Sequence, residues 1–424
     1  MTRGALAGRT ALLVLVASSC RDAAPERQSG ADLADSVDAE LDASAEALLP
    51  DVARLSGLEV RERVRLARES ATQVRAYVAT QLERDLPPAE LAGMATSYAL
   101  LGLMPDTLDL RSLLIELYTE QIVGYYDPDR RLLLVVEGVG RDEFRPILAH
   151  ELVHALQDQH TNLDSLIARE RGNDRQMAAQ AALEGHAMLV MLALQAEERM
   201  GTAVDPLNLP NPGPELRAGL ESQTAEFPVF GRAPRVIREA LLFPYTAGAE
   251  FVRALWRHSG GRPPPLNGLL PQSTEQVLDP VGRFLTRRDE PVILRFDPSE
   301  EAGYENTLGR FETGLFLAEH LGAGADTLAR GWGGDRYRLI RTEAGDALIW
   351  FSVWDDDRAA RGFADAVRSI VGRGGIFGTV ERPGRPSGSS VLVVIGETEA
   401  AVAAAPRLGA VVEREGSPRA DAPS

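Results

Sequence analysis

The sequence predicts an α+β fold: a mainly helical domain carrying a short β-hairpin, followed by a smaller α+β domain. Three observations lead there. Apolar residues recur at steps of three and four from Val52 to Val123 and again in two later stretches. An Asp-Pro pair separates two short runs of β-favouring residues near Pro128, and beyond Asp297 helical and strand-like patterns alternate. With 424 residues, 44% apolar and 25% charged, the chain is long enough for two or three domains with their own cores.

At the N-terminus, Arg3 and Arg9 precede the apolar run Ala11–Ala17 and the small residues Ser18 and Ser19, so residues 1–20 read as a signal peptide, too short to span a bilayer. Val16-Ala17-Ser18-Ser19-Cys20 resembles a bacterial lipobox, although Ala17 stands where that pattern usually has Leu. The resemblance implies cleavage before Cys20 and lipidation of it. Cys20 is the only cysteine, so no intramolecular disulfide can form. Residues 21–50, rich in Ala, Asp, Glu and Ser, read as a flexible acidic tether.

Residues 51–297 form the expected helical domain. Breaks at Pro87-Pro88 and Pro105 divide Val52–Val123 into three or four helices. The hairpin follows, Gly124–Tyr126 and Arg131–Val136 flanking Asp127-Pro128-Asp129-Arg130. Asp142, Glu143 and Pro146 mark the start of a helix running to about His160. A second long helix is expected over Asp174–Met200, and a third over Gly248–His258 after a break at Phe243-Pro244-Tyr245. The most apolar stretch, Leu183–Ala196, carries Glu184 and His186, which argues against a membrane span. Residues 298–412 supply the smaller domain, with helices at Glu305–Leu321 and Asp355–Val371 and strands at Tyr337–Arg341, Ala347–Val353, Ile376–Glu381 and Ser390–Ile395. Gly331–Tyr337 lacks the Lys-Ser/Thr of a phosphate loop and reads as a tight turn; Trp350 and Trp354 read as sheet packing. Residues 413–424 read as a loose tail.

The net charge of −17 argues against nucleic acid or an anionic lipid surface as a partner. Chemistry concentrates in His150-Glu151-Leu152-Val153-His154. Helix positions four apart lie about 40° apart around the axis, so His150 and His154 project side by side and can share one zinc ion through neutral imidazoles. Glu151 is then placed to take a proton from water. A third ligand has two candidates. His160 has metzincin-like spacing after His154, but that pattern needs a helix-breaking glycine where this chain has Gln157, and a continuing helix turns His160 about 120° away. Its expected role is capping or support. Glu184 sits in an apolar helix, where a carboxylate is costly unless paired or metal-bound. It gives a His, His, Glu set like that of gluzincins. Where the thermolysin-like subgroup has an orienting aspartate, this chain has Met188, so support must come from elsewhere, with Asp158, Asp164 and His186 as candidates.

His150–His160, Ala182–Ala187, Phe243–Gly248, Ser273–Leu278 and Gly331–Tyr337 together resemble a poorly characterised family of secreted bacterial and archaeal gluzincin-like proteins, over roughly residues 110–370. That family usually has Glu-Gly-Asp-Ala where this chain has Glu184-Gly185-His186-Ala187. The resemblance implies a zincin-like fold for the helical domain and Glu184 as third ligand.

The function expected is zinc-dependent peptide-bond hydrolysis with one Zn2+, Glu151 as general base, and an extracytoplasmic enzyme held to the cell envelope by Cys20 or secreted. Its partners are a protein or peptide substrate and a membrane through the lipid only. Tyr245 is the first choice to stabilise the oxyanion, with Tyr126 and His258 as alternatives. The rival reading is a non-catalytic lipoprotein with a structural or vestigial metal site, acting as a binding or scaffold module.

Overall fold

The computed structural model describes residues 39–166, 172–211, 227–296, 303–383, 389–406 and 410–413, with isolated positions between 212 and 226. The expected signal peptide, Cys20 and residues 414–424 lie outside the described residues. Leu41, Ala45, Leu48, Val52 and Leu55 recur at alternating steps of four and three and form the buried face of helix α1 (Ala39–Ser56). Residues 39–50 therefore belong to a packed helix and not to a flexible tether. The small and acidic residues between the stripe positions dilute the composition without breaking the stripe.

Strand β1 (Arg65–Glu69) follows, then helices α2 (Ala71–Asp85), α3 (Pro88–Leu100) and α4 (Leu110–Gln121). The expected hairpin forms as β2 (Gly124–Asp127) and β3 (Leu132–Val136), with Asp127 accepting from the Arg130 amide across the turn at 3.1 Å. The sheet order is β1-β3-β2, with β1 parallel to β3 and β2 antiparallel to it. Because β3 is paired on both sides, the edges of this sheet are β1 and β2, the first strand of the hairpin, and all four residues of β2 are buried. Strand β1 was not expected, because its Arg-Leu-Ala-Arg-Glu run is short and polar.

Two long helices carry the middle of the chain, α5 (Arg141–His160) and α6 (Asn173–Met200). By length and composition α6 could cross a membrane, yet 83% of its apolar window is buried within the protein. Helix α7 (Arg235–Ser259) continues past Pro244, where a break was expected. Proline inside a helix costs about 3 kcal/mol. Burial of Val236, Ile237, Leu241 and Leu242 ahead of it outweighs that penalty by holding the first half of the helix against the core.

After the short helix α8 (Thr274–Leu278) come β4 (Ile293–Phe296), β5 (Tyr304–Asn306) and α9 (Gly309–Leu321). They are followed by β6 (Trp332–Thr342), β7 (Gly345–Trp354), α10 (Asp357–Ile370), β8 (Phe377–Glu381), β9 (Ser390–Gly396) and β10 (Ala410–Glu413). The main sheet is antiparallel, in the order β5-β6-β7-β9-β8, while β10 pairs with β4. The whole is an α+β fold. Gly331–Tyr337 is no tight turn: it opens β6 with a bulge between Trp332 and Gly334. Its Asp335 is buried and accepts from the Leu308 and Gly309 amides and from the Trp332 and Trp350 indoles, which explains a motif that otherwise looks chemical. One apolar core runs from Leu41 to Ile395, so residues on both sides of position 297 share it.

Candidate metal centre

Helix α5 is buried around most of its circumference: Leu148, Leu152, Val153, Ala155 and Leu156 are at most 1% exposed. Polar residues on such a helix must find partners in the interior. Those of α5 meet α6, which is equally apolar from Ala178 to Leu194. Helix α7 crosses α6 at a pair of glycines. A Cβ built on Gly185 would lie 2.0 Å from the Gly248 carbonyl carbon, and one on Gly248 would lie 1.9 Å from the Ala181 carbonyl oxygen. Only glycine permits this approach. It brings Tyr245, three residues before Gly248, against Glu184, the neighbour of Gly185.

Three side chains converge there. His150 Nε2 is 3.0 Å from Glu184 Oε2 and 3.0 Å from His154 Nε2, and His154 Nε2 is 3.5 Å from Glu184 Oε2. A tetrahedral zinc ion with bonds of about 2.0–2.1 Å separates its ligand atoms by about 3.3 Å. The observed triangle brackets that value. His150, His154 and Glu184 thus form a buried group able to hold a metal ion, each 1% exposed.

The charges are arranged to suit a cation. Burial opposes ionisation of Glu184, but the charge on His154 and hydrogen bonds from both imidazoles outweigh it and bring its carboxyl down to about 2. Burial likewise disfavours a charged His154, and Glu184 overcomes this, raising the ring to about 9. His150 stays below its ordinary value because of burial. Glu151, fully buried, is pushed up to about 8 by desolvation, against the His154 charge and the Tyr126 backbone. Neither of its oxygens has a hydrogen-bond partner of good geometry among the described residues.

Behind the ligands lies a polar chain. His154 Nδ1 is 2.8 Å from Gln157 Oε1; Gln157 Nε2 is 3.2 Å from the Leu183 carbonyl and 3.1 Å from His186 Nδ1; His186 Nε2 is 3.0 Å from the Ser56 carbonyl. Of the support candidates, His186 therefore acts at one remove, through Gln157. Burial depresses its ring to about 3. Asp158 instead accepts from the Tyr126 hydroxyl at 2.9 Å, and the Asp164 side chain lies outside the described residues. Sequence reasoning passed over Gln157, noted only as a helix former. Its position three residues after His154 was the available signal, since that spacing puts both on one helix face.

His160 does not join the group; its Nε2 donates to the Glu59 carbonyl at 2.8 Å and ties the end of α5 to the loop after α1. Tyr245 lies inside the site, its ring 6.2 Å from that of His150 and its hydroxyl bonded to Glu184. Tyr126 is buried near Glu151, with its hydroxyl committed to Asp158, whereas His258 is exposed at the end of α7 and is not part of the site. Ala155 and Asp158, on the Glu151 face of α5, line a small cavity of about 70 Å³ with Glu62, Tyr126 and Arg131.

A family described as a domain of unknown function (DUF8575) matches residues 296–414, the segment from the end of β4 to β10 and beyond the metal group. No curated protein and no solved structure matches the chain.

Proposed function

We propose that the protein is a zinc-dependent peptidase with a gluzincin-like site: His150, His154 and Glu184 hold one zinc ion and Glu151 is the general base. The observation that carries this reading is Glu151, a buried carboxylate neither of whose oxygens has a hydrogen-bond partner of good geometry among the described residues, next to a three-donor metal group. A structural metal site has no use for it. Bound at this group, zinc supplies a Lewis acid that polarises a carbonyl and lowers the pKa of water. Glu151, held near neutral in its proton affinity, accepts the proton of the attacking water and returns it to the leaving amine. Tyr245 holds the Glu184 carboxylate through its hydroxyl and is the phenol nearest a developing oxyanion. Strand β2, an edge strand packed along α5 and buried in this structure, offers an extended peptide a pairing edge once the covering segments move, which supports a protein or peptide as substrate. The signal-like N-terminus and Cys20 support an extracytoplasmic, lipid-anchored location.

The test is Glu151→Gln. Zinc content should be retained and cleavage of a generic protein substrate should fall about 100- to 10,000-fold. A wild type that binds zinc yet cleaves nothing across a broad peptide library overturns the enzyme. That outcome favours a metal-stabilised scaffold, a reading supported by one observation: all three ligands are enclosed, so a peptide reaches them only when the covering segments move.

A further inference from the structure

We propose that Gln157 and His186 are positioning residues of the metal centre, forming a neutral hydrogen-bonded relay that fixes the His154 ring and ties it to α1. The inference rests on the reading of His150, His154 and Glu184 as metal ligands.

Two backbone carbonyls determine every proton in the relay. A carbonyl only accepts, so His186 Nε2, 3.0 Å from the Ser56 carbonyl, carries a proton, and His186 Nδ1 is left as an acceptor. By the same argument the Gln157 atom 3.2 Å from the Leu183 carbonyl is the amide nitrogen. Its second proton goes to His186 Nδ1 at 3.1 Å. The Gln157 oxygen must then face His154 Nδ1, 2.8 Å away, which is therefore N–H. The reverse orientation of the amide would set oxygen against a carbonyl oxygen and against an imidazole lone pair. In the neutral ring that a metal ligand requires, Nε2 of His154 then carries the lone pair and faces His150 Nε2 and Glu184 Oε2. Gln157 and His186 are fully buried, so no solvent competes for these bonds.

Metal-bound histidines usually lean on a carboxylate or a backbone carbonyl. Among the described residues none touches His154 Nδ1, and the partner is an uncharged amide. A neutral acceptor leaves the imidazole a weaker electron donor and the ion more strongly electrophilic. The far end of the relay lies on α1, so the seating of the N-terminal helix contributes to the geometry of a ligand on α5.

The experiment compares zinc affinity, by chelator competition on the full chain, in four folded variants. Gln157→Leu should weaken zinc about 10- to 100-fold. His186→Phe, which keeps the edge contact with Trp256, should weaken it less. The double variant should be no weaker than Gln157→Leu alone, because the effect of His186 passes through Gln157. Gln157→Glu should recover part of the affinity, since one carboxylate oxygen still accepts from His154 Nδ1 while the other opposes the Leu183 carbonyl. Wild-type affinity in Gln157→Leu, or losses that multiply in the double variant, overturns the relay. Ring 15N spectra of the metal-free protein separate the two levels of inference. Should wild type bind no zinc while His186 is the Nε2–H tautomer and Gln157→Leu loses the hydrogen-bonded His154 Nδ1–H signal, the metal reading fails and the relay stands. Zinc binding together with an Nδ1–H tautomer at His186 overturns the relay alone.

Discussion

Glu184 is a carboxylate with 1% exposure in the middle of a helix that is buried almost throughout from Ala178 to Leu194, and its apolar neighbours made it legible in the sequence. An isolated charge there is costly, so its presence announces a partner. His150 and His154 were legible from their spacing. What the sequence hid was which third group the fold brings to them, a question of tertiary geometry. The structure separates the two candidates: Glu184 lies at 3.0 Å from His150, and His160 binds the Glu59 carbonyl. Metal analysis should find less than half an equivalent of zinc in Glu184→Ala and close to one equivalent in His160→Ala. The opposite pattern would reinstate the metzincin-like arrangement. Gln157 was missed because an amide has ordinary helix propensity, and its value here depends on three partners, two of which, Leu183 and His186, are distant in the chain.

Helix α5, helix α6 and the hairpin were readable because their patterns are strong and local: a helical period in the first two, an Asp-Pro turn in the third. Helix α1 and the first half of α7 were misread by local rules that packing overrides, composition in one case and Pro244 in the other. The α6–α7 crossing shows how such packing serves the site. Gly185→Ala or Gly248→Ala forces a methyl group into backbone atoms that cannot rotate away, and either should destabilise the protein by about 3 kcal/mol or more. Urea unfolding measures this; a loss below about 1 kcal/mol would mean that the crossing is looser than described.

Across the whole molecule, the boundary expected near residue 297 meets a structure that joins the two sides. Strand β10, near the chain's end, pairs with β4, and one core extends beneath both. Neither pairing partner advertised itself, since β4 and β10 are four residues each and meet over a long separation in sequence. Buried acids tie the parts together as well. Glu312 on α9 accepts from Tyr98 on α3 at 2.7 Å, and burial raises its carboxyl to about 8, against the hydrogen bonds from Tyr98 and Asn173. Its folded-state pKa is above the unfolded value of about 4.5, so the folded protein holds the extra proton. The stability it contributes is complete below that value and is lost as pH rises toward 8. Glu312→Gln cannot ionise. The variant should gain on wild type between pH 5 and 8 by an amount on the order of a few kcal/mol. Parallel stability curves for the two proteins across that range would refute the assignment.

The glycine contact between α6 and α7 also bears on which ions the site would admit. With no side chain between the two backbones, the crossing holds Tyr245 of α7 on the Glu184 carboxylate of α6, so that ligand has little freedom to move away from the two imidazoles of α5. Calcium needs bonds of about 2.3–2.6 Å and six to eight oxygen ligands, and a tight set of two nitrogens and one carboxylate offers it neither room nor chemistry. Zinc should raise the melting temperature, and millimolar calcium should leave it unchanged; selectivity by ionic size would then originate in a place where two backbones touch.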